Sequence, residues 1–342
     1  MKKKLLALAA FGVFAGSANA QSSVTIYGVI DMAIQHENNG RASKVALDSG
    51  GWYGSRIGFK GTEDLGGGLK ANFQLESGFN ADDGGMGSSG VLFNRLSWVG
   101  LSGAFGSLNV GRQYAPIFLV ADNVDPFDAG MTGGRAGVST YSGGMLSIFG
   151  TSFRTSNTVN YTTNNLSGFK GSLAYTFGEA AGSTTANRAI GLSGAYENGP
   201  VYVGAALQRT NDVNGRVASK ELFIGGTYDF HVVKAHLGYQ KNTSDSNVTT
   251  PLNNKGWMVG ATVPLLGGNV LASYIRSTDN TVATANKGSQ WALGYTYDIS
   301  KRTTLYTSYS RNTNDANANI GGLAAANGLT DSLFNVGVRH KF

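Results

Sequence analysis

The chain has 342 residues, among them 50 glycines, 5 prolines and no cysteine, and its formal net charge is +6. Without cysteine it can form neither a disulfide framework nor a thiolate metal site, and its four histidines lack the spacing of a metal site. Lysine and arginine are scattered along the sequence, whereas a nucleic-acid-binding protein concentrates them in one patch. The composition therefore argues against a nucleic-acid partner, and we expect neither a cofactor nor a bound metal.

The first twenty residues have the pattern of a secretory signal peptide. Lys2, Lys3 and Lys4 precede an apolar stretch that runs into Ala18-Asn19-Ala20, a small-residue cleavage motif. The stretch is shorter than the roughly 20 apolar residues that a spanning helix needs. We predict cleavage before Gln21, so that residues 1–20 are removed and residues 21–342 form the mature domain.

The mature chain alternates apolar and polar residues with the period of two that is typical of strands. Leu69, Ala71, Phe73 and Leu75 share one face, while the residues between them are charged or carry amides. Segments of about ten residues suit a tilted transmembrane strand, and an even number of them suits a closed barrel. The predicted fold class is therefore all-β, an antiparallel transmembrane β-barrel of sixteen strands. These strands are predicted at 24–35, 52–61, 69–79, 91–101, 105–113, 153–162, 168–177, 188–197, 200–209, 219–230, 232–242, 255–264, 268–277, 289–299, 302–312 and 332–342.

Short and long connections alternate along the predicted strands. Residues 64–68 and 198–200 are tight turns. Polar loops are predicted at 36–51, 80–90, 178–187, 243–254, 278–288 and 313–331. Short turns at one end and long loops at the other are typical of outer-membrane barrels, whose short turns face the periplasm.

One connection, at about residues 114–152, is much longer than the others. Connections of this length are uncommon unless they are functional or disordered. Its aliphatic and aromatic residues, such as Phe118 and Phe127, favour a packed conformation. We predict that this third long loop folds into the lumen of the barrel.

The last strand supports the membrane assignment. Phe334, Val336, Val338 and Phe342 lie on one face, and Phe342 is the final residue. A soluble domain gains little from an exposed terminal aromatic residue, whereas a membrane barrel needs an apolar outer face with aromatic residues at the water boundary. We predict that Phe342 acts as the signal for insertion by the outer-membrane insertion machinery.

Seven runs of the mature chain stand out as motifs, at residues 23–31, 55–71, 93–95, 99–101, 111–113, 300–303 and 337–342. These runs resemble motifs of Gram-negative general porins, the trimeric type found in β-proteobacteria. The resemblance implies a homotrimer in the outer membrane, a third loop that narrows the pore, and passive diffusion of small hydrophilic solutes and ions. It also places arginines of the family's pore constriction at the positions of Arg56, Arg95 and Arg154.

Strand alternation indicates which charged residues face the lumen. Arg56 and Lys60 point inward if Ile57 and Phe59 face lipid. Arg95 points inward if Leu96 and Trp98 face outward, and Arg154 points inward if Val159 and Tyr161 do. Arg112 has outward parity because it alternates with Leu108 and Val110, although a bulge near the strand end could turn it inward. We assign these five residues to a basic wall of the pore.

Carboxylates are expected to oppose this wall. Glu76 has inward parity, and the long loop contains Asp122, Asp125 and Asp128. The run Asp125-Pro126-Phe127 is also typical of a turn in which the aspartate caps its own backbone and has no role in the pore. Arginines facing carboxylates would create a transverse field across a narrow channel. The excess of basic residues favours a mild anion preference.

Two other functions stay open at this point. An outer-membrane hydrolase would need a histidine at the rim of the barrel, and His36 is the candidate, but such enzymes are usually built on smaller barrels. A substrate-specific channel for sugars or another nutrient would need a continuous track of aromatic residues. Tyr27 and Tyr202 have lumen parity and Tyr306 could share it, but they do not form such a track. The sequence favours a general porin over both.

Overall fold

The computed structural model describes residues 23–131, 144–281, 286–321 and 324–342, which form seventeen strands and two short helices. The helices are α1 (Pro116–Asp122) and α2 (Gly144–Phe149). In the described ranges, no helix has the length and apolar character needed to cross a bilayer. The strands are β1 (Ser23–Asn38), β2 (Ser43–Ser49), β3 (Arg56–Gly66), β4 (Leu69–Gly78), β5 (Leu96–Gly103), β6 (Gly106–Tyr114), β7 (Arg154–Thr162), β8 (Phe169–Thr176), β9 (Ala189–Asn198), β10 (Val201–Asn211), β11 (Val217–Asp229), β12 (Lys234–Thr243), β13 (Asn253–Leu265), β14 (Gly268–Asp279), β15 (Asn286–Asp298), β16 (Thr303–Asn314) and β17 (Asp331–Lys341).

The strands close into a barrel with sixteen strand positions, as predicted. From β3 to β17 each strand pairs antiparallel with the next strand in sequence, and β17 pairs with β1 from Val29↔Lys341 to Asn38↔Ser332. Seventeen segments fill sixteen positions because β2 and β3 lie along the same edge of β1. Residues 32–38 of β1 pair with β2, and residues 23–29 pair with β3.

The prediction of a loop over residues 36–51 is wrong for the segment that forms β2. Val45 and Leu47 lie on either side of Ala46, and both side chains point outward, opposite His36 and Ile34 of β1. Only two large apolar residues mark this short strand, and Ala46 between them interrupts the apolar–polar alternation, so the pattern was too weak to separate the strand from its polar surroundings. The chain leaves the wall at residues 50–55, before it enters β3.

The two faces of the barrel wall have inverted polarity compared with a soluble protein. Large apolar side chains are exposed on the outer face, as shown by Val203 (52%) and Leu237 (61%). Polar side chains such as Gln240 and Asn335 are buried on the inner face. Lipid contact requires an apolar outer face and permits a polar interior, so this alternation explains why the chain forms a membrane barrel.

Both helices lie on the inner face of the wall. Helix α1 contacts β9, β10 and β11, and α2 contacts β12, β13 and β14. Their apolar residues pack with Phe223 and Met258, whose sequence neighbours Ile224 and Val259 point outward. Pro116 favours the start of α1 because its fixed φ suits the first helical turn. Residues 132–143 of the predicted loop at 114–152 lie outside the described residues, as does the predicted signal peptide at 1–20.

Candidate functional site: a charged cluster inside the barrel

The centre of the site is a buried ion pair between Arg95 and Glu76. Arg95 Nε lies 2.6 Å from Glu76 Oε1, and the two side chains are only 7% and 5% exposed. Tyr27 Oη donates to the other carboxylate oxygen at 2.9 Å, and Arg95 Nη2 donates to Tyr114 Oη at 3.2 Å. Glu76 was expected on the acidic side of the pore. The structure instead places it within the basic cluster, where it neutralises one arginine.

Arg56 and Lys60 extend this cluster along β3. Both residues face the same side as Tyr27, since Gly58 between them pairs with Tyr27. The guanidinium of Arg56 lies 5.5 Å from the centroid of the Tyr53 ring, and the ammonium of Lys60 lies 5.3 Å from the Tyr27 ring. Neither Arg56 nor Lys60 forms an ion pair with Glu76 as Arg95 does.

Arg154 lies behind this cluster rather than at its surface. Its guanidinium carbon is 3.8 Å from the centroid of the Phe153 ring and 4.7 Å from that of Tyr114. Its Nη2 donates to Tyr114 Oη at 3.3 Å, so Arg95 and Arg154 share one phenol oxygen. The structure thus brings together the three arginines Arg56, Arg95 and Arg154, with Tyr114 as their common neighbour.

Arg112 does not join them. A bulge does interrupt β6 between Gly111 and Gln113. However, Arg112 Nε donates to the Asn94 carbonyl at 2.7 Å, and its Nη1 donates to Ser156 Oγ at 2.8 Å. These contacts hold Arg112 away from the basic cluster. Its predicted place in the basic wall is therefore wrong.

The predicted outward direction of Leu96 and Trp98, from which the inward direction of Arg95 was inferred, is wrong. Leu96 pairs with Glu76 and Trp98 with Gln74, so both point inward, whereas Val99 is 60% exposed on the outer face. Continued alternation would turn Arg95 outward. It reaches the lumen because it precedes β5, in a segment that is not constrained by the strand period.

The loop acids lie in three different environments. Asp122 and Asp128 line a cavity of about 180 Å³ together with Arg56, Arg95 and Tyr114. Asp125 is buried, and its Oδ1 accepts a hydrogen bond from the Phe127 backbone N–H at 3.0 Å. It therefore caps its own turn, the alternative that the sequence left open, and does not face the cavity.

Burial governs the protonation of these acids. Burial, with a smaller contribution from the nearby Asp128, raises the pKa of Asp122 to about 7, while Arg56 opposes both effects. Burial also raises the pKa of Asp125 well above its usual range. The pKa of Asp128 is raised by burial too, although its hydrogen bond from Tyr53 acts in the opposite direction.

Residues 50–55 fold inward and fix the loop opposite the arginines. The backbone N–H groups of Trp52 and Tyr53 donate to the carboxylate of Asp31 at 3.3 and 3.0 Å. Trp52 Nε1 then donates to the Phe127 carbonyl at 3.3 Å, and Tyr53 Oη donates to Asp128 Oδ2 at 3.0 Å. This anchoring sets the position of Asp128, one of the two acids that line the cavity.

The opposite wall holds the rest of the loop through inward polar side chains. His236 Nδ1 donates to the Val124 carbonyl at 2.9 Å, and the Gly144 N–H donates to Gln290 Oε1 at 2.9 Å. Glu221 accepts from the Ser152 N–H at 2.7 Å. Buried polar groups are stabilised when such bonds are made, so both ends of the described loop segments are fixed to the wall.

The comparisons with known proteins identify the family. A family model described as Gram-negative porin matches residues 6–317. The chain belongs to the Gram-negative porin family. It is 33% identical to an outer membrane porin protein of Bordetella pertussis and 34% identical to "Outer membrane porin protein 32" of Delftia acidovorans, and both alignments cover 100% of each chain.

Solved structures agree with this assignment. The chain superposes on the "Anion-selective porin from Comamonas acidovorans" with a TM-score of 0.81 and 30% identity, covering 94% of this chain and 100% of the other. A Salmonella typhi OmpF structure gives a TM-score of 0.71 at 19% identity, over 93% of this chain and 97% of the other, which shows the shared fold. The protein is thus an outer-membrane porin, a passive channel for small hydrophilic solutes and ions and not an enzyme.

Strand alternation alone left several residues of this porin's site unassigned. Arg339 lies with its guanidinium carbon 3.8 Å from the centroid of the Trp52 ring and 5.0 Å from that of Tyr53. Its inward parity could have been found, because it alternates with the outward Val336 and Val338. No comparable signal marks Tyr53 or Tyr114, whose positions depend on residues 50–55 and on the long loop.

Proposed function

We propose that this porin is a general diffusion channel with a mild anion preference, set by a constriction between the arginine cluster and the loop. The observation that carries the proposal is the cavity shared by Arg56, Arg95, Asp122 and Asp128. Opposite charges across a narrow passage create a transverse field that orients dipolar solutes and disfavours apolar ones.

The sign of the selectivity follows from the balance of effective charges. Arg95 is paired with Glu76, but among the described residues no carboxylate makes such a contact with Arg56 or Lys60, and Arg339 adds a further cation near Asp128. On the acidic side, Asp125 is turned away from the cavity, and Asp122 is only partly ionised near neutral pH because burial raises its pKa. Cations therefore dominate, and the resemblance to the anion-selective Comamonas porin supports the same sign.

The assembly and export of the chain are part of the proposal. We assign residues 1–20 as a cleaved signal peptide, residues 21–342 as the barrel and residues 114–152 as the loop that narrows the pore. We also propose a homotrimer, as in the trimer form of a structural neighbour from Vibrio cholerae. Phe342 is the proposed insertion signal. Its backbone exchanges hydrogen bonds with Gly28, where an added Cβ would overlap the Phe342 ring.

The alternative of a substrate-specific channel finds no support in the aromatic residues. Tyr306 is 2% exposed, packs against Trp52 and donates its hydroxyl proton to Asp31. Tyr202 lies beneath α1, whose Val120 approaches Gly204 on the same strand. Of the three, Tyr27 lines the cavity beside Arg56 and Glu76 and the other two do not, so they form no track along the pore.

The test is single-channel recording of the refolded mature protein in a planar bilayer, with the reversal potential taken across a salt gradient. We expect closures in three equal steps and a reversal potential displaced toward that of the anion. The displacement should collapse when Arg56 and Arg95 are replaced by glutamine. A cation-selective wild-type channel would overturn the proposed sign, and saturable block by a single solute would support the substrate-specific alternative.

A further inference from the structure

Trp98 is a tryptophan inside the pore for which the fold supplies no packing partner. The chain has four tryptophans, and the other three each pack against a tyrosine ring, in the pairs Trp52 with Tyr306, Trp257 with Tyr274 and Trp291 with Tyr309. Among the described residues, no aromatic ring pairs with Trp98, which also lies outside the clusters of buried apolar residues that pack the loop against the wall. Packing within the protein therefore does not account for an indole ring in a polar lumen.

The wall around Trp98 leaves its ring uncovered. Trp98 pairs with Gly111 on β6, and Gly100 is the next residue on the same face of β5. Neither glycine has a side chain that could cover the indole ring. On the other side Trp98 pairs with Gln74 of β4, whose amide is engaged because it donates to Tyr27 Oη. The indole ring is therefore available to stack with a flat solute in the lumen.

A second uncovered apolar side chain faces the same space. Helix α1 buries Phe118 and Val120, but Leu119 between them is 42% exposed. Leu119 and Trp98 both line a cavity of about 640 Å³, and Leu96 contributes further apolar surface to it. Pockets for small ligands have volumes of about 300–1,000 Å³ and combine apolar walls with a few polar groups. The cavity thus has the size and the apolar surface of a binding site for a small solute.

The same cavity also offers positive charge to one end of such a solute. Arg56 and Lys341 line it, and they lie at the same level of the wall because both pair with Val29 of β1. Neither cation has an ion-pair partner among the described residues. Among the described lining residues the acidic side chain is Glu76, whose two oxygens already accept hydrogen bonds from neighbouring side chains. A carboxylate is therefore attracted by two unpaired cations and meets little repulsion.

We propose that this cavity is a transit subsite for monoaromatic carboxylates, whose ring packs against Trp98 and Leu119 while the carboxylate pairs with Arg56. The inference rests on the proposed function, since an anion must first be admitted to the channel. A flat ring gains by stacking on an indole ring, and arginine can hold a carboxylate through two parallel hydrogen bonds. Weak binding of this kind favours entry and still permits release. The subsite therefore raises the permeability of aromatic acids above that of other anions of the same charge and size, while small hydrophilic solutes still diffuse through the pore.

The test is the reversal potential of the refolded channel with benzoate on one side of the bilayer and cyclohexanecarboxylate on the other. The two anions have the same charge and nearly the same size, but only benzoate has a flat aromatic ring. We expect benzoate to be about threefold more permeant in the wild type, the effect of one aromatic stacking contact. Trp98→Leu should make the two permeabilities nearly equal, whereas Trp98→Phe should retain most of the preference.

The matched control is Trp257→Leu, the same substitution at a tryptophan of the outer face, and it should leave the preference unchanged. Heat-resistant migration establishes that each variant is folded. Equal permeability of the two anions in the wild type, or equal loss of the preference in Trp98→Leu and Trp257→Leu, would overturn the inference. If Trp98→Leu does not fold, Leu119→Ser is measured instead. It should lower the permeability of benzoate relative to acetate, and an unchanged ratio would likewise overturn the inference.

A potassium chloride gradient across the same bilayers separates this inference from the proposed function. A cation-selective wild-type channel would overturn the proposed function. An anion-selective wild-type channel with no preference for benzoate would overturn only the aromatic subsite. Arg56→Gln should lower the permeability of both organic anions together and leave the ratio between them, because the charge attracts both carboxylates and the indole ring selects between the rings.

Discussion

The two sides of the charged site are built in different ways. The basic side stands on barrel strands or directly beside them, and its residues are held by neighbouring residues, as Arg95, just before β5, is held by Glu76 and Tyr114. The acidic side stands on a loop, and its residues are placed by contacts with distant parts of the chain, as Asp128 is placed by Tyr53. The charge of the wall residues is thus set by local pairing, whereas the charge of the loop acids is set by burial.

The largest effect is expected from breaking the ion pair of the basic side. Arg95→Gln leaves Glu76 buried without its cation, and removing one partner of a buried pair costs about 3 kcal/mol of unfolding free energy or more. The double variant Glu76→Gln/Arg95→Gln should recover much of this loss because no charge is left uncompensated. Urea unfolding in detergent, followed by tryptophan fluorescence, measures both.

The control for this prediction is the partly exposed pair between Arg216 and Asp212, at 2.8 Å. Arg216→Gln should change stability far less, since water screens both partners. If Arg95→Gln and Arg216→Gln destabilise the porin equally, burial of the Arg95–Glu76 pair does not have the role assigned to it here.

Selectivity should depend most on Arg56, which lines the shared cavity and has no carboxylate in ion-pair contact among the described residues. Arg56→Gln is expected to lower the anion-to-cation permeability ratio several-fold, because the wall then loses its unneutralised charge beside the cavity. Arg112→Gln removes an arginine of the same type whose hydrogen bonds hold it outside the cluster. Reversal potentials for the two variants should differ clearly, and an equal shift in both would contradict the geometry of the site.

The loop acids allow the other side of the comparison to be tested. Asp122→Asn, measured at pH 8.5 where the carboxylate is ionised, should raise the anion-to-cation permeability ratio by about twofold. Asp125→Asn should leave the ratio unchanged because Asp125 caps the backbone of Phe127 and does not line the cavity. Equal shifts from the two substitutions would show that distance, and not cavity exposure, decides which acid matters.

The contrast between wall and loop also explains how much could be predicted from the sequence. The barrel, its sixteen positions and the inward direction of Arg56 follow from period-two alternation, which lipid contact enforces on every strand. Predictions from this alternation are wrong where the chain departs from that period. Trp98 lines the lumen although it was expected outside, and Arg95 reaches the cluster from a segment before β5.

The three loop aspartates show that local sequence does not predict which acids line the cavity. They are close in sequence and similar in local pattern, yet Asp122 and Asp128 face the cavity and Asp125 does not. What separates them is the path of the loop over the inner wall, fixed by contacts such as Trp52 with Phe127 and His236 with Val124. Contacts between residues so distant in sequence leave no periodic signal.

The smallest effect is expected from pH, and it tests the electrostatic balance directly. Because burial raises the pKa of Asp122 to about 7, the carboxylate is mostly ionised at pH 8.5 and mostly neutral at pH 5.5. Loss of this negative charge beside Arg56 should increase the anion-to-cation permeability ratio as pH falls, with a midpoint near the pKa of Asp122. Reversal potentials recorded between these two pH values measure the change. In Asp122→Asn the ratio should stay nearly flat over the same interval. A midpoint near pH 7 that persists in this variant would assign the titration to another group.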